Sequence, residues 1–249
     1  MSDWPEGYGL RVLEEVDSTL DEARRIAGGL GGPEWILARR QTAARGRRGR
    51  AWVAPEGNLF ATLVMRPPGP ASGVALRSFV SALALVDALA EVAGGAQDLA
   101  LKWPNDVLLN GGKVAGILLE SVGSGVGVSH LAIGIGVNLA HAPDPGAVEA
   151  GAVRPVSLKG ETGIEIAPRA FLDHLARAYD RHERTFRAYG FAPIRAAWMA
   201  RAARLGEEVT ARTAKAETRG IFQTVDDAGN LVLKTPQGRV AIPAADIYF

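Results

Sequence analysis

Four arginines, interrupted by glycines, lie within residues 45–50 and form the first group in this sequence that could do chemistry. Guanidinium groups make bidentate hydrogen bonds to phosphate and carboxylate oxygens, and glycine lets the backbone approach a ligand closely. Because the segment lies between two apolar stretches, its position favours a loop that clamps an anionic ligand. With its like charges unpaired, this loop should stay mobile until the anion binds. A solvated basic loop and an RNA-contacting arginine tract are the alternatives.

Residues 102–106 form a second cluster, with the sequence Lys-Trp-Pro-Asn-Asp. It presents a cation, an aromatic ring, an amide and a carboxylate, although Asn105 and Asp106 could instead bond to nearby backbone in an Asx turn. Residues 111 and 112, both glycine, predict a tight hairpin that returns Lys113 beside the strand after Asp106. Lys113 could then contact a carboxylate and a phosphate together, or be an ordinary solvated lysine of a turn.

The elements that must position these side chains indicate an α+β fold. A helix capped by Asp17 or Ser18 ends at Gly28, and apolar residues at helical spacing predict further helices. These helices cover residues 74–92, the stretch from residue 168, and residues 194–203. Strands are predicted at 35–38, at 59–65 and successively over 99–139, with a looser hairpin at 123–127. The pattern predicts a mixed, mainly antiparallel sheet covered by helices, with the last two helices on one face.

After residue 205 the sequence changes to short β-rich runs separated by turns. The runs are residues 208–212, 218–225, 231–234 and 239–242. They predict a small carboxy-terminal β-barrel, and so a division of the chain into domains at 1–204 and 205–249.

Composition excludes several classes of chemistry. The chain has no cysteine, which excludes disulfides, thiolate metal sites and a cysteine nucleophile. The formal net charge is +1, so affinity for a polyanion must come from a local patch. The first residues do not resemble a signal peptide and no apolar run approaches membrane-spanning length, which predicts a cytoplasmic protein that does not bind membranes.

Taken in chain order, the two clusters together with Ser18-Thr19, Gln41, Lys113 to Leu118 and Gly134 to Asn138 resemble the biotin protein ligase family. The most specific part is Lys-Trp-Pro-Asn-Asp followed by Lys-x-x-Gly-Ile-Leu. The resemblance implies a class II synthetase-like catalytic domain and an SH3-like carboxy-terminal β-barrel. Because few residues precede Ser18, it also implies the monofunctional type, which lacks a DNA-binding domain.

The resemblance implies a reaction in two steps. Biotin and ATP, with Mg²⁺, give biotinyl-5′-adenylate and pyrophosphate, and a lysine of a biotin carboxyl carrier protein domain then attacks the adenylate. In the first step a carboxylate attacks the α-phosphorus, so cationic side chains must offset the repulsion between two anions. A homodimer is a further expectation from the family.

The resemblance also implies which residues do the work. The biotin-binding residues are Ser18, Thr19, Gln41, Arg45, Lys113, Gly116 and Leu118. The ATP-binding residues are Arg47, Arg48, Arg50, Trp52, Lys102, Asn105, Asp106 and Asn138. Lys113, Arg47 and Arg48 are expected to be catalytic, and Asp106 is expected to bind the metal.

Two positions depart from the family pattern. Ala44 replaces the usual glycine before the first arginine, and Leu20 replaces the usual asparagine after Ser-Thr. The first departure is expected to affect closure of the loop, and the second to reshape the edge of the pocket.

Two other functions compete with this prediction. A lipoate or octanoyl transferase shares the general fold and acts on a carrier-domain lysine, but is expected to lack Lys-Trp-Pro-Asn-Asp. A noncatalytic nucleotide- or RNA-binding module would use the arginine loop alone, and its binding would depend steeply on salt.

Overall fold

A seven-stranded sheet forms the centre of the protein. The computed structural model describes residues 4–52, 55–67, 71–95, 98–122, 129–144, 146, 148, 151–213 and 216–249. The strands of this sheet are β1 (Gly9–Val16), β2 (Glu34–Gln41), β3 (Leu59–Met65), β4 (Leu99–Lys102), β5 (Asp106–Leu109), β6 (Gly112–Val122) and β7 (His130–Val137). Their order is β1-β2-β3-β7-β6-β5-β4. Only β1 and β2 are parallel among these pairs, which confirms the mixed, mainly antiparallel sheet.

Strand β1 was not predicted from the sequence. It is an edge strand that pairs with β2 alone, and none of its residues is fully buried. Val12 is exposed, and charged residues such as Arg11 and Glu14 occupy much of the strand. Its least exposed residues, Leu10, Leu13 and Val16, recur at every third position, so the strand lacks the alternation of apolar residues that marks a half-buried strand.

Helices lie on both faces of this sheet. They are α1 (Thr19–Ile26), α2 (Ala71–Val74), α3 (Arg77–Ala93), α4 (Leu158–Thr162), α5 (Pro168–Tyr189) and α6 (Phe191–Met199). The helices α3, α5 and α6 cover the face that forms the main core, whereas α1 packs on the opposite face against Ile36, Val64 and Ala132. The prediction that the helices from residue 168 and over 194–203 cover one face is therefore correct, and α1, for which no face was predicted, lies on the other. None of the helices within the described ranges is both long and apolar enough to cross a membrane.

Some predicted helix ends were correct, whereas the helix predicted over 194–203 begins at Phe191 and ends at Met199. Ser18 caps α1, since its side chain accepts a hydrogen bond from the Leu20 backbone N–H. The long central helix begins at Arg77 and not at residue 74, because a turn separates it from the short α2. It ends at Gly94, whose φ of 74° is easily adopted only by glycine. The predicted hairpin at 123–127 lies outside the described residues.

The carboxy-terminal strands form a second sheet. They are β8 (Glu208–Arg212), β9 (Glu217–Val225), β10 (Leu231–Thr235), β11 (Gly238–Ile242) and β12 (Asp246–Tyr248). Their order is β11-β10-β9-β8-β12, and each neighbouring pair is antiparallel. The predicted barrel was wrong: in the part of the chain that is described, β12 pairs with β8 over all three of its residues and does not meet β11. The sheet is therefore open, while the domain boundary at residue 205 stays a prediction.

A buried ion pair connects α3 to α5. Arg77 is 1% exposed and Glu183 is 3% exposed, and the Arg77 Nη2 atom lies 2.8 Å from Glu183 Oε1. The guanidinium also lies 5.1 Å from the centre of the Phe186 ring. Burial raises the pKa of Glu183, while its hydrogen bond from Arg77 opposes the rise. Arg77 therefore favours the ionised form of a carboxyl group whose ionisation burial disfavours.

Replacing Arg77 with Met should destabilise the protein by about 3–5 kcal/mol, because it leaves a buried carboxylate without its partner. Urea denaturation would measure this loss in the free energy of unfolding. The matched control is Arg184→Met, which breaks an exposed pair with Asp180 and should change stability little. Equal effects of the two substitutions would contradict the assignment.

Candidate active site

The floor of the site is a row of residues that face one another across four strands. Lys102 pairs with Asp106, Asp106 with Gly116, and Gly116 with Gly136. Residues paired in register point to the same side of a sheet, so the two charged side chains and the two glycines share one face. Above this face lies a cavity of about 540 Å³, a size typical of small-molecule sites.

The glycines in the floor make room for Trp52. A Cβ atom on Gly136 would lie 2.8 Å from the Trp52 ring, and one on Gly116 would lie 3.3 Å from it. A larger residue at position 136 would therefore displace the ring. The indole Nε1 is buried without a hydrogen-bond partner among the described residues, as is Oδ1 of Asn138. Because such buried groups are costly when unpaired, they indicate where a polar ligand would bind.

One end of the cavity holds a small polar cluster. The backbone N–H and the hydroxyl of Thr19 both donate to Gln41 Oε1, at 2.7 and 3.1 Å. The Thr62 hydroxyl donates to Thr19 Oγ1 at 2.8 Å, and Ser18 lies beside them at the start of α1. The sequence predicted Ser18, Thr19 and Gln41 for this site but missed Thr62, since a lone threonine in an apolar strand is usually part of the core.

Leu20 lies at the edge of this cluster, against the sheet. A Cβ atom added to Gly134 would lie 3.0 Å from the Leu20 side chain, so the glycine gives the leucine its place. The departure from asparagine at this position therefore puts apolar surface beside the polar cluster. Leu118, which pairs with Gly134 in register, also lines the cavity there.

Arg45 lines the cavity as part of an ion-pair network. Its Nη2 atom lies 2.9 Å from Asp21 Oδ1 and 3.2 Å from Glu120 Oε2. The hydrogen bond from Arg45 lowers the pKa of Asp21. Neither carboxylate was predicted as part of the site, and the expectation that the loop's charges are unpaired was wrong for this arginine.

The other three arginines of the loop converge on Asp246. Arg47 Nη1 lies 3.3 Å from Asp246 Oδ1, while Arg48 Nη1 and Arg50 Nη2 lie 2.7 and 2.9 Å from Oδ2. These charges are thus also paired, against expectation. Asp246 belongs to β12, far from the loop in sequence and in an element that was not predicted, so no local pattern pointed to it.

Backbone hydrogen bonds give the loop its shape. The Gly46 N–H donates to the Arg50 carbonyl at 2.7 Å, and the Trp52 N–H donates to the Ala44 carbonyl at 3.0 Å. Arg48 and Gly49 have positive φ values of 55° and 71°, which turn the chain between these bonds. The alanine at position 44 takes part through its carbonyl, so this departure from the family pattern keeps the closing hydrogen bond.

The predicted hairpin brings the two lysines of the site to one carboxylate. Asn110 and Gly111 have positive φ values, as a tight turn requires, and Lys113 returns beside β5. Its Nζ lies 2.7 Å from Asp106 Oδ1, whereas Lys102 Nζ lies 3.8 Å from Oδ2. Burial lowers the pKa of Lys102, with Lys113 and Arg47 adding to the effect and Asp106 and Asp246 opposing it.

Asn105 joins the arginine loop to the sheet. Its Nδ2 donates to the Ile117 carbonyl at 2.5 Å, and its Oδ1 accepts from Arg47 Nη1 at 3.4 Å. The side chain thus bonds to the neighbouring strand β6, and not only within its own turn as the Asx-turn alternative supposed. Except for Arg48, all of the predicted site residues line the one cavity.

Comparison with known proteins identifies this arrangement. Residues 12–138 match the Biotin/lipoate A/B protein ligase family, and residues 205–249 match the Biotin protein ligase C terminal domain. The chain belongs to the biotin protein ligase family. It is 60% identical to a biotin--[acetyl-CoA-carboxylase] ligase of Paracoccus denitrificans over 96% of this chain and 99% of that protein. It is 33% identical to the bifunctional ligase/repressor BirA of Bacillus subtilis, over 97% of this chain and 74% of that protein.

Solved structures of biotin protein ligases have the same fold. The ligase from Aquifex aeolicus in complex with biotin and ATP has a TM-score of 0.82 at 26% identity, covering 96% of this chain and 97% of that one. The ligase from Leishmania major in complex with biotinyl-5-AMP has a TM-score of 0.66 at 26% identity, covering 96% of this chain and 100% of that one. The family resemblance and, apart from the closed barrel, the fold class drawn from the sequence are thus confirmed, whereas the individual site residues stay predictions.

Binding of a polyanion beside Lys102 should cause the protein to take up a proton at alkaline pH. Burial lowers the pKa of Lys102 in the protein without ligand, and a bound phosphate would raise this pKa again. At a pH between the two values, binding therefore converts neutral Lys102 into its charged form. Calorimetric titration with MgATP in two buffers of different ionisation enthalpy would measure uptake of up to about one proton. Lys102→Arg should abolish the uptake, and its persistence in that variant would contradict the assignment.

Proposed function

We propose that this protein activates biotin with MgATP to biotinyl-5′-adenylate and then transfers the biotinyl group to a lysine of a biotin carboxyl carrier protein domain. The observation that carries the proposal is that Lys113 and the arginine loop, from separate segments, meet at one cavity. The high identity to the Paracoccus ligase over nearly the whole of both chains supports the same reaction.

The polar cluster at one end of the cavity suits the ureido ring of biotin. That ring has both N–H donors and a carbonyl acceptor, and Ser18, Thr19 and Gln41 offer both kinds of partner within a partly apolar pocket. Gly116 and Leu118 would line the path of the valeryl chain towards Lys113. Arg45, held by Asp21 and Glu120, would form the wall beside the ring.

The other end of the cavity suits ATP. Trp52 would pack against the adenine, and the unpaired Oδ1 of Asn138 would accept a hydrogen bond from its amino group. Arg47, Arg48 and Arg50 would contact the phosphates from the loop, while Lys102, Asn105 and Asp106 would hold them from the sheet. The assignment places nucleotide and biotin on the same face, with the reacting groups between them.

In the first step, an oxygen of the biotin carboxylate bonds to the α-phosphorus and pyrophosphate leaves. Lys113 would bridge the carboxylate and the α-phosphate, and Arg47 and Arg48 would stabilise the charge that develops on the phosphate oxygens. In the second step, the acceptor amine attacks the acyl carbon and AMP leaves. Both bonds form between substrates, so the protein has to supply no nucleophile.

Magnesium fits this site in one particular mode. Among the described residues no three potential ligands cluster, so these residues form no preformed cage for a metal. Asp106 provides a carboxylate beside the proposed phosphate position, and Mg²⁺ is commonly held by one or two carboxylates together with substrate phosphates and water. Asp106 would thus hold an ion that arrives with ATP and offsets the charge of the phosphates.

The remaining parts of the proposal rest on the sequence alone. They are a cytoplasmic location, a homodimer and the lack of DNA and membrane binding. Each stays a prediction.

The two alternative functions fit less well. The arginines of an RNA-binding module would face solvent, whereas these are paired with Asp246, Asp21 and Glu120 beside a cavity. A lipoate or octanoyl transferase belongs to the broader family, but the match of residues 205–249 is to the carboxy-terminal domain of biotin protein ligases.

Incubating the protein with labelled biotin, ATP, Mg²⁺ and a biotin carboxyl carrier protein domain should place the label on the carrier. A carrier domain with its acceptor lysine changed to arginine is the matched control and should stay unlabelled. Labelled octanoate or lipoate in place of biotin tests the nearest alternative. Transfer of either acid in preference to biotin would overturn the proposal.

Replacing Lys113 with Ala should reduce biotin-dependent pyrophosphate formation by roughly a hundredfold or more, because the cation between the two anions is lost. Binding of biotin should persist, since the polar cluster is intact, and calorimetry would measure it. Lys159→Ala is the control, because this lysine pairs with Glu165 at the surface. A normal rate of pyrophosphate formation in the Lys113 variant would reject its catalytic role.

A further inference from the structure

Asp246 holds the arginine loop, although it belongs to the carboxy-terminal sheet. Three guanidinium groups share its single carboxylate, at 2.7 to 3.3 Å. The side chain is 14% exposed, so solvent screens these ion pairs less than it would at an open surface. Arg47 adds a hydrogen bond from Nη2 to the Ala245 carbonyl at 3.2 Å.

The position of Asp246 is fixed by its own sheet. It pairs with Arg212 of β8, and the next residue, Ile247, is buried and pairs with Ala211. Because alternate residues of a strand point to opposite sides, burial of the Ile247 side chain leaves the side chains of Asp246 and Tyr248 on the other side of the strand, and all three residues contribute to the lining of the cavity. The carboxylate is thus presented to the loop from a rigid element.

The charges around the cavity show when this carboxylate matters. Among the described residues, the cationic side chains grouped around the two carboxylates Asp106 and Asp246 are Arg47, Arg48, Arg50, Lys102 and Lys113, whereas Arg45 is paired separately with Asp21 and Glu120. Five positive and two negative groups leave three positive charges, which about three negative charges of MgATP and a carboxylate would balance. After pyrophosphate leaves, the adenylate keeps only about one negative charge. The loop then keeps Asp246 but loses most of the anionic groups that the ligands supplied.

We propose that Asp246 is a positioning residue that keeps residues 46–50 folded over the cavity, both without ligand and after pyrophosphate has left. It thereby retains the reactive adenylate until the acceptor lysine arrives. The part concerning the adenylate rests on the proposed function, whereas the part concerning the loop does not.

Limited proteolysis with trypsin tests the loop without any ligand. Asp246→Asn should increase the rate of cleavage after Arg47, Arg48 and Arg50 by at least about fivefold, because trypsin requires a locally opened chain. Mass spectrometry of the fragments identifies the sites. Asp227→Asn is the matched control: it lies in the same sheet domain, is 92% exposed and pairs with Arg195. Equal cleavage of the loop in the two variants would overturn the inference.

Retention of the adenylate is measured on the full chain. Adenylate formed from labelled biotin and ATP in the presence of pyrophosphatase is chased with unlabelled biotin, and the label remaining on the protein is followed. Asp246→Asn should release it about tenfold faster than wild type, and Asp246→Glu should restore retention because it returns the carboxylate. Unchanged or slower release from the Asn variant would overturn the inference, as would a Glu variant that behaves like Asn.

A second variant distinguishes the loss of this contact from a general folding defect. Arg48→Gln removes one partner from the side of the loop, and in the ligand-free protein combining it with Asp246→Asn should accelerate tryptic cleavage after Arg47 and Arg50 no more than the stronger single change, since both break the same contact. Multiplied effects would overturn the inference. If the wild type forms no adenylate, the proposed function fails together with the role in retention, while the proteolysis still decides the role in the loop.

Discussion

The rest of the structure depends on one constraint: side chains of like charge must converge in a small cavity although they repel one another. Two anionic reactants can approach each other only if several cations surround them, and these cations repel one another before the reactants bind. The protein meets this repulsion with carboxylates of its own. Asp106 pairs with the two lysines of the sheet, and Asp246 pairs with three arginines of the loop. The fourth arginine, Arg45, pairs with both Asp21 and Glu120.

The sheet determines how closely these groups can approach one another. Lys102, Asp106, Gly116 and Gly136 share one row, so the charged end of the row lies beside a floor without side chains. The glycines cost conformational entropy in a strand, but they leave space for Trp52 and for a ligand on the same face. The opposite face carries α3 and α5 and forms the main core, which keeps the floor rigid.

The sequence predicted what local patterns can encode. The capping of α1, the strand Leu59–Met65, the hairpin that returns Lys113 and the convergence of two basic segments were correct, although the turn lies at Asn110-Gly111 and not at the predicted Gly111-Gly112. Strands β1 and β12 were missed, because one has no buried face and the other has three residues. Thr62, Glu120 and Asp246 were missed because their partners lie far away in sequence. Ion pairs of this kind depend on tertiary contacts, which no spacing rule contains.

The ion pairs of Asp246 give the edge strand of the open second sheet a role in the site. Closure into a barrel would require β12 to pair with β11 as well as with β8, whereas this short edge strand presents Asp246 and Tyr248 to the cavity. Without this strand the arginine loop would have three unbalanced charges beside two lysines. The strand therefore adds a carboxylate to a site whose other charged side chains, in the described part of the chain, belong to the first 120 residues. The second sheet is thus a part of the site.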